Sequence, residues 1–216
     1  GDAWLVPRTD KACAVRFGGR VKERWENGRL HIDYVDYEEV QAVPYDMMIS
    51  GAESEAVNSL RLFKARNITN FNMKLFSQGE YVRAMQESNN ADVISKVLYP
   101  ADNHTEGKLL RLSQQYFLVS ASLQSIIADH LKTYNRLDNF ADKVAIHIND
   151  THPALAVPEL MRLLVDEHGL SWEEAWDTVL RVVSYTNHTV MPEALEMWNE
   201  DLFRLRLPRI YAIICE

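Results

Sequence analysis

Two stretches concentrate chemistry in few residues, HINDTHPA at 147–154 and SYTNHTVMPEAL at 184–195. Each is a short apolar run that stops at a knot of Asn, Asp, Thr and His, then resumes through a proline as a helical pattern. These types suit a neutral ligand with many hydroxyls. An ionised Asp accepts hydrogen bonds, Asn both donates and accepts, and a neutral His donates from one ring nitrogen while accepting at the other. A sugar is the substrate class that such groups fit. Two other readings use the same residues. In one, Asp150 and Thr151 are N-caps for a helix after Pro153, and one histidine is a structural donor near a turn. In the other, His147, Asp150 and His152 are metal ligands of a metal-dependent hydrolase, since His and carboxylate clusters bind zinc. That reading needs further ligands from elsewhere in the fold, and a strand lacks the i,i+4 placement that a helix offers.

The elements that must hold the knots follow from hydrophobic period. Val144, Ile146 and Ile148 share one face of a strand that runs into the first knot. Ser171 with Glu174 makes a capping box for a helix that leads through VLRVVSY into the second knot. EDLFRLRLPRIYAII then closes the chain in a helical pattern. Upstream, residues 13–22 read as extended, Asn27-Gly28 supplies a hairpin turn, and LHIDYVDYEEVQAVPYD alternates apolar with polar side chains. A third extended run, AVNSLRLFKA, follows a polar loop at 50–55. After Phe76 the period becomes helical: Ser77 and Glu80 form a capping box, and Tyr81, Met85, Val93, Ile94 and Val97 share a face that ends before Tyr99-Pro100. A longer helix starts at Thr105 and carries Leu109, Leu112, Tyr116, Val119, Leu123, Ile126 or Ile127, and His130 as a core-facing stripe. The polar segment YPADNHTEGK joins those two helices.

The fold class expected is α/β, with a β-rich N-terminal segment followed by alternating strands and helices and a parallel pairing of the later strands. Both knots then lie at the carboxyl ends of parallel strands, where strand ends and helix N-termini leave free hydrogen-bonding groups around a crevice.

Composition removes several function classes. A net charge of −8 with no basic stripe argues against a nucleic-acid partner, whose phosphates require clustered Lys and Arg. With only Cys13 and Cys215 there is no disulfide framework. GDAWLVPRTD lacks the charged and apolar regions of a signal peptide, and no apolar run approaches the roughly 18 residues of a membrane span. A reducing, cytoplasmic setting is expected. Four Asn-x-Thr triplets, at Asn67, Asn103, Asn149 and Asn187, are read there as turn and cap chemistry. The chain opens without Met and ends inside an apolar helical pattern, so a piece of a longer protein is expected.

The strings VLYPADNHTEGKLLRLSQQYF, KVAIHINDTHPALAVPELMRLLVD and SYTNHTVMPEALEMW closely resemble the glycogen, starch and maltodextrin phosphorylases. FGGRVK, AVPYDMMISG and VNSLRLFKA extend that similarity over essentially all of residues 1–216, as a single piece of the later N-terminal domain of that family. The resemblance implies a Rossmann-like, glycosyltransferase-type domain. It also implies phosphorolysis of α-1,4-glucan by inorganic phosphate to glucose 1-phosphate, by a cytoplasmic homodimer. Pyridoxal phosphate serves in that family through its phosphate group and is held by a domain that this chain does not resemble, so no cofactor is expected on these residues.

Residue by residue, the resemblance matches His188 to the histidine that binds the transferred glucosyl unit, and Asp102 and Asn103 to a mobile gate loop at the active site. Tyr99, Asp150, His152 and Glu193 match positions on the glucan-acceptor side. Two departures stand out. Animal phosphorylases hold AMP with an arginine pair where this chain has Ala128 and Asp129, and a carboxylate cannot hold a phosphate, so AMP activation through these positions is not expected. His104-Thr105 replaces two aromatics of the animal gate loop, which removes a stacking site for purines. NFNMKLF shares Asn-Met-Lys with the family's cofactor segment, but Lys74 lacks the preceding Gly-rich stretch and is not assigned that role. A free-standing glucan-binding or interaction module without catalysis is the alternative in a different class.

Overall fold

The parallel pair that the two knots require is present. In the computed structural model, which describes residues 4–27, 29–68, 91–97, 100–101 and 103–216, the chain divides into two compact units. One comprises Gly1–Arg16 with Glu39–Pro100, the other Phe17–Glu38 with Ala101–Glu216.

The first unit is built on a β-sheet. Strand β1 (Val6–Pro7) pairs antiparallel with β5 (Glu38–Ser50), β2 (Cys13–Phe17) also pairs β5, and β6 (Val57–Asn67) runs antiparallel to β5 from Val40↔Asn67 to Ser50↔Val57. Val15, Val40, Ala42 and Ala65 are buried, as the alternating pattern predicts. Asp46 is buried too, and Arg61 grips its two carboxylate oxygens at 2.6 and 2.7 Å. The Arg61 guanidinium thereby lowers the Asp46 carboxyl below its ordinary range. Residues 91–96 are helical, and Ser95 Oγ accepts from the Ala65 N–H at 3.0 Å. The predicted capping box of Ser77 and Glu80, with Tyr81 and Met85, falls outside the described residues, as does Lys74.

The second unit carries both knots. Its antiparallel ribbon of β3 (Arg20–Glu26) and β4 (Arg29–Val35) is joined at the predicted turn, where Asn27 takes φ 51°; Gly28 lies outside the described residues. Positive φ at Asn is what a tight hairpin demands. Gly19, at φ 78°, has no room for a side chain, since a Cβ there would sit 2.5 Å from the Val35 carbonyl oxygen.

The long helix α1 (Thr105–Tyr134) buries the predicted stripe: Leu112, Tyr116, Val119, Leu123, Ile127 and His130 all face the core. Asn135 ends it in the left-handed conformation at φ 52°. After α2 (Phe140–Lys143) come β7 (Ile146–Asn149), α3 (Ala156–Arg162), α4 (Trp172–Val182) and β8 (Val183–Thr186). Strands β7 and β8 pair in parallel with Ile146 opposite Val183 and Asn149 opposite Thr186. Parallel neighbours need a crossover of a dozen or more residues, and α3 with α4 supplies it. Ile148, Leu160, Leu164, Val179 and Val182 bury their side chains against α1 residues in one cluster.

Two local expectations shift. The helix after the first knot starts at Ala156, with Leu155 at its cap and no side chain capping it, rather than at Pro153. The closing pattern is two helices, α5 (Glu200–Arg206) and α6 (Pro208–Cys215), because proline breaks the ladder and suits a helix start. The Ser171 and Glu174 capping box forms as predicted.

A buried polar network pins α3 to α1. The Glu159 carboxylate, fully buried, accepts from Tyr116 Oη and Ser120 Oγ at 2.7 Å each and from Arg162 Nε and Nη2 at 2.8 Å each. Burial, reinforced by the adjacent Glu159 charge, pushes the Tyr116 hydroxyl well above its ordinary range, so it stays a donor. A buried carboxylate is tolerated only when paired and bonded in this way.

Candidate functional site

The knots are stitched together side chain to side chain. His147 Nε2 lies 2.6 Å from Thr186 Oγ1, His188 Nε2 lies 2.5 Å from Asn149 Oδ1, and Thr189 Oγ1 donates to Asp150 Oδ1 at 3.0 Å. All three bonds join residues 39 apart in sequence. A constant offset is what a parallel pair imposes, because its register advances one residue on each strand together. The Asp150 N–H continues the pairing to the Thr186 carbonyl at 2.8 Å, just past the end of β7.

Asp150 then turns the chain. Its φ of 67° lies in the left-handed region, which Asp tolerates better than most side chains, and its Oδ1 also accepts from the Thr151 N–H at 2.8 Å. The carboxylate therefore serves the turn and the neighbouring knot, not the end of α3. The capping reading of Asp150 and Thr151 is not what the fold uses. On the other side, Asn187 Oδ1 accepts from the Thr189 N–H at 3.0 Å and Asn187 Nδ2 donates to the Thr189 carbonyl at 3.0 Å, closing a tight loop under His188.

Three of the sequence-assigned residues meet here. Asp150 is in the stitch, and His152 Nδ1 comes within 4.0 Å of Asp150 Oδ2. His188 enters through Asn149. Glu193 sits exposed in a short turn at Pro192–Ala194, and Asn103 is exposed just before α1; neither is hydrogen-bonded to the knots among the described residues. Tyr99 and Asp102 lie outside the described residues. His104, beside Asn103, caps α1 by accepting the Gly107 N–H at 2.9 Å on Nδ1. Gly107 is needed there because a Cβ would fall 1.7 Å from the Ala101 carbonyl oxygen.

The geometry adds residues that spacing alone misses. Asn149, Thr186 and Thr189 are partners of the three central side chains. Glu196 ties the segment after the second knot to α1, accepting from Arg111 Nε at 2.8 Å and Gln115 Nε2 at 2.9 Å. Nothing in the local sequence marks that contact, since its partners lie 85 and 81 residues away.

The chemistry available is hydrogen bonding by neutral groups around one carboxylate. Among the described residues no group of three His, Cys, Asp or Glu side chains is placed to hold a metal ion, because each ring is directed at a different partner. The knots also do not fit pyridoxal phosphate. A phosphate monoester calls for cationic donors, whereas the bonded side chains here include no Lys or Arg and do include Asp150.

The Thr151 N–H lowers the Asp150 carboxyl below its ordinary range; partial burial opposes this, while the Thr189 hydroxyl and the His152 and His188 rings add to it. With the folded value below the unfolded one, ionised Asp150 stabilises the fold above the ordinary aspartate range, and that contribution is lost as pH falls through the folded value. The melting temperature of the protein relative to its Asp150→Asn variant should therefore drop on acidification from about pH 5 to about pH 3. A difference that stays constant across that window would show that the carboxylate makes no such bonds.

Comparison with known proteins places the whole chain in one family. The family model for carbohydrate phosphorylases matches residues 1–216. The chain is 48% identical over 216 residues to a glycogen phosphorylase of Bacillus subtilis, 45% over 217 to one of Chlamydia trachomatis, and 45% over 226 to the muscle form of glycogen phosphorylase of Bos taurus. Each match covers 100% of this chain but 26%, 27% and 26% of those relatives, so the chain spans about a quarter of the length of the curated relatives it matches. A matched family model over every residue, and relatives near half identity over the same span, place both knots inside one known sequence pattern: the chain belongs to the carbohydrate phosphorylase family.

Proposed function

We propose that this chain is the glucosyl- and glucan-binding side of an α-glucan phosphorylase, an enzyme that releases glucose 1-phosphate from α-1,4-glucan and inorganic phosphate. The observation that carries the reading is the stitch of three same-offset bonds. It presents His188 and Asp150 side by side on rigid strand ends, with neutral donors and acceptors suited to sugar hydroxyls. His188 holds the glucosyl unit being transferred, with Asn103 and Asp102 beside it. Tyr99, Asp150, His152 and Glu193 line the acceptor side.

Preorganised polar groups of this kind help most at an oxocarbenium-like centre, where charge develops without solvent to follow it. Pyridoxal phosphate, when bound elsewhere in the longer protein, supplies acid–base chemistry toward the substrate phosphate. The residues here bind and orient the sugar and help to keep water away from it. A cytoplasmic homodimer is the setting this reading carries. Within it, the two compact units both belong to one N-terminal domain.

The test is product identity. Maltodextrin and inorganic phosphate given to the full-length protein should yield glucose 1-phosphate. Free glucose formed at the same rate without phosphate would mean a hydrolase, and tight glucan binding with neither product would mean a binding module.

A further inference from the structure

We infer that Asn149 is a positioning residue, which sets the proton of His188 on Nε2 and so turns Nδ1 toward the sugar as a hydrogen-bond acceptor. The inference rests on the proposed role of His188 in holding the glucosyl unit. His188 Nε2 meets Asn149 Oδ1 at 2.5 Å. An amide oxygen has no proton to give, so the ring nitrogen donates. A neutral imidazole carries a single N–H, and Nδ1 is then left with its lone pair and with no hydrogen-bond partner among the described residues. The partner of one ring nitrogen decides what the other can do, as it does for histidines that serve metals or nucleophiles.

The surroundings make this fixed rather than incidental. Asn149 is the last residue of β7, opposite Thr186 in the register, so its backbone is held by the sheet. His188 is bracketed by Asn187, whose amide bonds both the N–H and the carbonyl of Thr189, and by Thr189, whose hydroxyl is anchored on Asp150. Both side chains are exposed, so the bond does not serve the core. With backbone fixed on both sides, one side-chain bond is enough to choose the ring's tautomer and direction.

The test uses two variants of the full-length protein, assayed for glucose 1-phosphate release alongside His188→Ala, with thermal unfolding as a control. Asn149→Leu keeps the shape and removes the acceptor; it should lower kcat/KM roughly tenfold to a hundredfold, the usual scale for losing a partner that orients a functional histidine. Asn149→Asp keeps an acceptor on either oxygen and should restore most of that loss, while both variants melt within a few degrees of the parent. A leucine variant with the parent's kcat/KM would overturn the inference. So would an aspartate variant as impaired as the leucine one, because the amide would then be donating to the ring. If His188→Ala itself retains full activity, the proposed role of the histidine falls instead, and the two failures are told apart in one set of assays.

Discussion

In the full-length phosphorylase, His188→Ala should lower kcat for phosphorolysis by roughly two to three orders of magnitude, the scale for removing one preorganised polar contact felt mainly in the transition state. The ring is held by Asn149 at 2.5 Å and sits on a loop closed by Asn187 and Thr189, so its position is set before substrate arrives. Such a group costs no reorganisation when charge develops at the sugar, and its loss falls on kcat as well as on kcat/KM. Because His188 is exposed in this unit, alanine removes no core packing and thermal stability should hardly change. A variant with near-normal kcat would remove His188 from the site.

The 216-residue chain by itself should turn over no glucan and fix no cofactor, an effect larger still. It spans about a quarter of the length of its curated relatives, and its two knots bring together neutral groups and a carboxylate, with no cation to hold a phosphate. A wall of a cleft that stays open to water loses the low-dielectric setting in which polar contacts are strong, so oligosaccharide affinity should also be weak. Val190 and Met197, 89% and 90% exposed beside the second knot, leave apolar surface that favours self-association. The check is to incubate the purified chain with pyridoxal phosphate, reduce with borohydride, digest, and assay glucose 1-phosphate from maltodextrin and phosphate in parallel. Neither a stoichiometrically labelled lysine nor product is expected. Labelling of Lys74 together with measurable glucose 1-phosphate would make this chain an enzyme in its own right.

How much of this could be read from the sequence varied with the range of the forces involved. Local signals carried well: the Ser171 and Glu174 capping box, the stripe along α1 and the turn at Asn27 each depend on residues within a few positions of one another. The parallel pairing of β7 with β8 was legible because two apolar strand patterns flanked a helical crossover of the right length. Long-range bonds were not. Nothing near Glu159 in the sequence marks that Tyr116 and Ser120, 43 and 39 residues earlier, close around it. The start of α3 was not legible either: the Asp150 carboxylate bonds Thr151 and Thr189, and no side chain caps the helix. The knots themselves were conspicuous by composition. Their mutual bonding was not, since it depends on register.

Whether the two knots form one sugar-binding wall is decided by a crystal structure of the full-length protein with a bound maltooligosaccharide. A glucosyl hydroxyl is expected within hydrogen-bond distance of His188 Nδ1, with the His188–Asn149 and Thr189–Asp150 bonds intact beneath the sugar. An oligosaccharide seated elsewhere, with His188 and Asp150 both facing solvent, would contradict it.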